Sequence, residues 1–304
     1  MENTLINFSN ELAGIVQRLS PFVVSVAARR RYPSSGLLWS PSVIVTAAHT
    51  IQQDEDISVT AANGKVLGAN LVGRDPGTDI AVLKVDTPEL SGEGPGRAST
   101  VGAGDLALVL GRSPQSGANA SLGIISAVSG SWKTWRGGEL DSYVRLDARL
   151  FPQSSGGAVV NMRGEIIGIA TSALSRIAGL AIPVATVKRV TEQLLERGFV
   201  PRGYLGIGVQ SVPLPEELRT RLAISNHAGL MVLTVESGGP ADKAGLLIGD
   251  IVIRLGDVVA ERIDELQTFT GSGLIGKPVQ IHFIRGGVLK ESMLTVGERP
   301  GRRS

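Results

Sequence analysis

Three short segments carry the residue types of nucleophilic catalysis. His49 ends the run Val43-Ile44-Val45-Thr46-Ala47-Ala48-His49, where an apolar strand meets a turn. That places an imidazole at the rim of a sheet. Asp79 closes Asp75-Pro76-Gly77-Thr78-Asp79 and is the last polar residue before Ile80-Ala81-Val82-Leu83. A carboxylate so placed tends to be buried, and a buried carboxylate needs a partner. Ser155 lies in Pro152-Gln153-Ser154-Ser155-Gly156-Gly157-Ala158, where two glycines let another backbone come close. Alone, each reads equally well as a surface histidine, a loop acid or a turn serine. Together, their order of His, Asp and Ser is one of the known chain orders of a catalytic triad. A hydroxyl is a weak nucleophile at neutral pH and needs a base beside it. That base needs a carboxylate to set its tautomer and steady its cation.

The elements around these residues read as two kinds of structure. From Pro21 to about Ala181 the chain is a series of short strands rich in Val, Ile and Leu. Phe22–Ala27, Leu37–Thr46, Val66–Val72, Ile80–Val85, Leu106–Leu110, Ser121–Val128, Tyr143–Leu146 and Ile166–Thr171 are the expected strands, with Asn63-Gly64 and residues 91–96 among the turns. Such a pattern predicts barrels or a sandwich, and the length suits two small barrels. After Pro183, Val184, Val187, Val190, Leu194 and Leu195 recur at helical spacing, and Gly198 stops the helix. Residues 197–203 read as a linker. A second module follows, with strands Leu205–Val209, Met231–Val235, Ile251–Leu255, Val279–Ile284 and Met293–Val296 and short helices from Pro240 and over Arg262–Phe269.

Composition narrows the function. The chain has 304 residues, enough for about two domains, and 42% of them are hydrophobic. Its 39 glycines show no three-residue period, which excludes collagen. A net charge of +2 does not make nucleic acid the default partner. Arg29, Arg30 and Arg31 form the one tight basic run and read as a solvated hairpin tip. With no cysteine there are no disulfides and no thiolate metal sites, and no metal or cofactor is expected. Gly271-Ser272-Gly273-Leu274-Ile275-Gly276 matches a dinucleotide fingerprint but follows a helix and leads to a strand, so it reads as a turn. Trp132 and Trp135 read as part of a loop near the candidate site.

The motifs together resemble the HtrA/DegP family of trypsin-like serine proteases with a C-terminal PDZ domain. Thr46-Ala47-Ala48-His49 resembles the family's histidine motif, Thr78-Asp79-Ile80-Ala81-Val82-Leu83 its aspartate motif, and Asp147 through Gly157 its nucleophile segment. Gly179-Leu180-Ala181-Ile182-Pro183 resembles the strand leading out of the protease domain. Tyr204-Leu205-Gly206-Ile207 resembles the PDZ carboxylate-binding loop, and Gly239 through Val252 the PDZ core. The resemblance runs from about residue 20 to 297. It implies a mainly β fold, a trypsin-like double antiparallel β-barrel over 21–200 followed by a small α+β PDZ domain over 201–297 and a polar tail over 298–304. It implies an ATP-independent endopeptidase acting on unfolded or damaged proteins, with Ser155 as nucleophile, His49 as base and Asp79 behind it. The N–H groups of Gln153 and Ser155 would form the oxyanion hole. Thr171, Ser172, Gly179, Leu180 and Ala181 would wall a specificity pocket that has no carboxylate, which favours aliphatic over Lys or Arg side chains. Tyr204, Leu205, Gly206 and Ile207 would capture peptide C-termini. A homotrimer is implied, with Phe8 and the apolar face of the N-terminal helix as its contact.

One departure bears on activity. The family usually has Gly-Asn-Ser-Gly-Gly-Pro at the nucleophile, and here Gln153 stands where the first glycine would be. The hole needs its N–H in a backbone conformation that suits glycine. Gln153 is therefore expected to leave the resting peptide flipped and the hole half formed. A weak or inactive pseudoprotease serving as a peptide-binding scaffold is the rival reading, and an enzyme switched on by a PDZ ligand a third. Residues 1–20 read as an amphipathic helix built on Leu5, Phe8, Leu12, Ile15, Val16 and Leu19, with acidic Glu2 and Glu11 and no leader-like apolar block. The expected home on that ground is the cytoplasm, with the periplasm, common in the family, as the alternative.

Overall fold

The computed structural model describes residues 2–29, 32–86, 100–269 and 274–299. The turn at 91–96, Arg30 and Arg31, the first half of the 271–276 glycine motif and the last residues of the tail lie outside the described residues. The chain divides into two compact units, Met1–Val200 and Pro201–Ser304.

The first unit opens with helix α1 (Glu2–Leu19) and holds two closed six-stranded barrels. Strands β1 (Val23–Ala27), β2 (Ser34–Ser40), β3 (Val43–Ala47), β4 (Ile57–Thr60), β5 (Val66–Asp75) and β6 (Ile80–Val85) close in the order β1-β2-β3-β6-β5-β4. The second barrel uses β7 (Leu106–Ser113) and β8 (Gly117–Ser129). After a small hairpin of β9 (Trp132–Lys133) and β10 (Glu139–Leu140) it continues with β11 (Tyr143–Asp147), β12 (Ala158–Asn161), β13 (Ile166–Thr171) and β14 (Gly179–Pro183). Helix α2 (Val184–Arg197) ends at Gly198, which sits at φ 76 as a left-handed cap. The run 37–46, expected as one strand, is a hairpin. Pro41 cannot donate to a ladder and Ser42 turns the chain at φ 62.

Burial explains the alternation. Leu37, Val45, Ile80, Val82, Leu110, Ile169, Leu180 and Ile182 share one core with Val187, Val190 and Leu194 of α2 and with Ile15 and Leu19 of α1. The second half of α1 thus packs on its own chain, while Leu5, Ile6 and Phe8 stay exposed.

The second unit is built on β16 (Ile207–Pro213), β17 (Ala228–Val235), β18 (Ile251–Leu255), β20 (Pro278–Arg285) and β21 (Val288–Thr295), in the order β16-β17-β18-β20-β21, with β19 (Val258–Val259) beside β18. A two-stranded ribbon of β15 (Gly203–Tyr204) and β22 (Gly297–Glu298) and helices α3 (Glu216–Leu222), α4 (Pro240–Lys243) and α5 (Ile263–Phe269) complete it. Helix α3 escapes the apolar periodicity, though Pro215 followed by Glu216 and Glu217 is a helix-start signal. Buried Asp250 is held by Arg285 at 2.7 Å and accepts the N–H of Leu247 at 2.8 Å, which fixes the loop ahead of β18.

Asp141 ties the β10–β11 turn to the first turns of α2. It accepts from Thr186 Oγ1 at 2.7 Å and Arg189 Nη2 at 3.0 Å. Burial pushes its pKa up, but the Thr186 hydroxyl and the Arg189 cation outweigh this and hold it below its ordinary 3.8. A depressed folded pKa contributes stability above the unfolded value and loses it as pH falls through the folded one. The Thr186→Val variant is therefore less stable than wild type at neutral pH, and the gap between their thermal midpoints narrows once pH drops below about 3.8. A gap that stays constant into acid contradicts this account.

Candidate functional site

Asp79 is fully buried and has its backbone at φ 60, a left-handed conformation costly for a residue other than glycine. Its carboxylate repays the position with three donors. Oδ1 accepts the backbone N–H of His49 at 2.8 Å, and Oδ2 lies 2.8 Å from His49 Nδ1. The Thr171 hydroxyl donates to the same Oδ2 at 2.5 Å. His49 sits in a single 3-10 turn, Ala48–Thr50, directly after β3, and its side chain is 22% exposed. With Nδ1–H committed to Asp79, Nε2 is left as the basic nitrogen.

The Asp79 loop is buttressed twice. Asp75 accepts from Gly77 N, Thr78 N and Thr78 Oγ1. Thr134 Oγ1, from the β9–β10 hairpin, donates to Gly77 O at 2.7 Å. The tryptophans expected near the site divide. Trp132 packs edge-on to Tyr143 with centroids 5.1 Å apart, and Trp135 is exposed with Arg136 stacked on it.

Ser155 is only 2% exposed and sits on a corner tied to both barrels. Its carbonyl accepts from Ser35 N of β2 at 3.1 Å, and the next N–H, that of Gly156, donates to Ala170 O of β13 at 2.8 Å. Its hydroxyl lies 3.3 Å from that of Ser172. Thr171 and Ser172 are adjacent, so one dipeptide touches Asp79 and Ser155 in turn. His49 and Asp79 are thus bonded directly, and Ser155 joins them through this dipeptide.

The other expected site residues fall in different places. Thr171 is fully buried on Asp79, and Ser172 is exposed. Leu180 lies in the main core. Ala181 is buried beside Ala148 and Leu150, and a side chain on Gly179 would meet Leu150 at 2.4 Å. Gln153 is not among the residues with positive φ. It occupies the third position of a turn closed by Ser154 N donating to Phe151 O at 2.8 Å. A type II turn demands positive φ there, so the middle peptide, Pro152–Gln153, takes the type I orientation. The Gln153 carbonyl accepts from the Ser35 hydroxyl at 2.6 Å. In the second unit, Tyr204 ends β15 and Leu205 is buried. Gly206 turns the chain at φ 76, and its carbonyl accepts from Glu236 N at 2.8 Å. Ile207 then starts β16, which is an edge strand of its sheet.

Two roles central to this arrangement were not anticipated. The Ser35 hydroxyl bonds Gln153 O and accepts from Arg112 N, its carbonyl accepts from Thr46 Oγ1, and its N–H holds Ser155. Thr171 was expected in a pocket wall, although a threonine closing an apolar strand was the available signal for a partner to a buried acid.

Comparison with known proteins agrees with this architecture. The trypsin-like peptidase domain family matches residues 34–169, and the PDZ domain family matches residues 203–296. A protein of Halomonas elongata named as a probable periplasmic serine endoprotease, DegP-like, is 29% identical over 300 residues, covering 97% of this chain and 62% of the relative. Its namesake from Chlamydia trachomatis is 31% identical over 84% of this chain and 52% of the relative. The putative serine protease HhoB of Synechocystis is 32% identical over 88% of this chain and 66% of the relative. This chain therefore spans about half to two thirds of the length of these curated relatives. Among solved structures, the serine endoprotease from Yersinia pestis superposes with a TM-score of 0.70 at 31% identity, covering 96% of this chain and 98% of that one. The HtrA-type protease AlgW with decapeptide gives 0.69 at 28% identity, covering 95% and 98%. The periplasmic names of the first two relatives overturn the cytoplasmic expectation and agree with the periplasmic alternative. The amphipathic start behind that expectation is a helix whose second half packs on the barrel, and such packing carries no information about compartment.

The corner after Ser155 generates a direct test. Gly156 has φ 83, and a Cβ there would lie 2.2 Å from Ser35 O and 2.4 Å from Thr46 Oγ1. Gly156→Ala is expected to cost about 3 kcal/mol of unfolding free energy, from positive φ and overpacking together. Denaturant unfolding measures it, and an unchanged midpoint would show that the two barrels do not close on this corner.

Proposed function

Because the chain belongs to the HtrA-type, DegP-like family of trypsin-like serine endoproteases, we propose that it is an ATP-independent endopeptidase acting through Ser155, His49 and Asp79. The observation that carries this is the buried Asp79 carboxylate, which holds His49 at 2.8 Å through both its backbone and its ring. Ser155 attacks the scissile carbonyl while His49 Nε2 takes its proton. A tetrahedral oxyanion forms, the C–N bond breaks, and His49 returns the proton to the leaving amine. Water repeats the sequence on the acyl-enzyme. Asp79 keeps its charge throughout and stabilises the imidazolium.

Oxyanion stabilisation falls to the N–H groups of Ser155 and Gln153. The type I turn gives the Gln153 peptide the orientation opposite to one that glycine would allow, so the resting hole lacks one donor. Loss of one donor costs about 10²–10³ in rate. This favours a slow enzyme at rest. The same observation is what supports the second reading, a scaffold that binds peptides without cutting them.

Substrates on this reading are unfolded or damaged proteins, cut after small or medium aliphatic residues, in the periplasm that the relatives' names indicate. In the second unit a peptide C-terminus would add as a strand beside β16, with its carboxylate at the Leu205–Ile207 turn. Assembly into a trimer would use the exposed Leu5, Ile6 and Phe8.

Cleavage of unfolded casein by wild type and by Ser155→Ala decides between the readings. The expected result is slow cleavage that vanishes in the variant. Cleavage by neither, with peptide binding retained, selects the scaffold. Gln153→Gly removes the φ penalty and is expected to raise kcat by about 10-fold or more, with the roughly 10²–10³ that one oxyanion donor is worth as its ceiling. A fall in kcat would show that Gln153 already serves the hole.

A further inference from the structure

Arg29 reaches across the first unit to the loop that carries the nucleophile. It leaves the chain just after β1, at the tip expected to be a solvated basic turn. Its guanidinium is instead bound by carbonyls. Nη2 donates to Pro152 O at 2.9 Å, 123 residues away, and Nε donates to Tyr32 O. The side chain is partly buried. Its described partners are carbonyl oxygens, with Pro33 O a longer third at 3.4 Å.

The accepted carbonyl belongs to the Pro152–Gln153 peptide, the middle peptide of the Phe151–Ser154 turn. No peptide bond among the described residues is cis, and in a trans peptide the C=O and N–H point in opposite directions. Whatever fixes the Pro152 carbonyl therefore fixes the Gln153 N–H. We propose that Arg29 is a positioning residue that latches this peptide in its resting orientation, with the Gln153 N–H turned from the oxyanion hole. The inference rests on the reading of Ser155 as nucleophile.

Two restraints then hold the resting state. A flip to the type II orientation moves Gln153 to positive φ, which a residue with a Cβ resists. It also pulls the Pro152 carbonyl off a cationic donor. The first restraint lies in the turn itself, and the second comes from another barrel. The Ser35 hydroxyl on Gln153 O holds the next peptide, so the flip has to occur between two tethers.

The experiment compares casein cleavage by the full chain as wild type, Arg29→Ala, Arg29→Lys and Arg29→Ala with Gln153→Gly, each also carrying Ser155→Ala as a control. Arg29→Ala is expected to raise kcat about tenfold with KM unchanged, the low end for a hydrogen bond to a charged group. Arg29→Lys, which keeps a cationic donor, restores part of the restraint. In the Gln153→Gly chain the same alanine change adds less than tenfold, because the flipped peptide is already populated. A merely structural role predicts slower enzyme and a lower thermal midpoint, not a gain. Ser155-dependent cleavage that Arg29→Ala leaves unchanged or slows overturns the latch alone. Absence of Ser155-dependent cleavage in every chain overturns the endopeptidase reading and the latch with it.

Discussion

A buried carboxylate with donors from two barrels organises the first unit. Asp79 stands at the start of β6 in the first barrel, and His49 follows β3 of the same barrel. Thr171 closes β13 of the second. An isolated ionised carboxylate at zero exposure would be prohibitively costly, so these bonds must form together as the barrels close. Removing any one leaves the buried charge short of a donor. The left-handed backbone at Asp79 follows from the same demand, since one residue must both begin an apolar strand and turn its side chain toward a neighbouring loop. Strain at a functional position is tolerated where the surroundings over-determine it. Here Asp75, Thr78 and Thr134 supply that over-determination.

The second tie between the barrels is made by a small residue. Ser35 is fully buried in β2 and meets β3 through Thr46, β7 through Arg112, and the nucleophile loop through Gln153 and Ser155. Space is short on both sides, since Gly111 closes on its hydroxyl and Gly156 on its carbonyl. The chemistry of the site and the packing of the barrels are therefore one problem. The backbone around Ser155 is held by the contacts that hold the barrels together.

Much of this was legible from local patterns. Runs of Val, Ile and Leu broken by glycine turns marked short strands, because a strand buried on both faces needs little alternation. His49, Asp79 and Ser155 stood out because each is a polar residue at the edge of an apolar run. What stayed hidden were contacts between residues distant in sequence. Ser34-Ser35-Gly36 falls outside the expected strand, since two serines and a glycine carry no strand signal, yet all three lie in β2. Arg29 reads as a solvated cation, because nothing local shows that carbonyls 123 residues away will reach it. Thr171 reads as a wall, because its acid partner lies 92 residues earlier. Hydroxyls and guanidinium groups bonded to backbone have no periodicity, so they are the hardest class to read.

Gln153 shows how a single position links the levels. Its type is plain in the sequence, and so is its conflict with a glycine-like conformation. The conflict has two physical outcomes: the residue accepts strain, or the turn changes type. The structure takes the second course, and the choice propagates. A type I turn sends the Pro152 carbonyl toward the first barrel, where Arg29 is the donor in reach, and leaves the Gln153 carbonyl to Ser35. Each bond removes an unmet acceptor from the loop and makes the resting form more stable. On the proposed reading, the residue that weakens the oxyanion hole is thus also the one that gives the Ser155 loop its order at rest. On that reading, activity and loop stability oppose each other at this peptide, and the balance is set by one Cβ atom, one guanidinium and one hydroxyl.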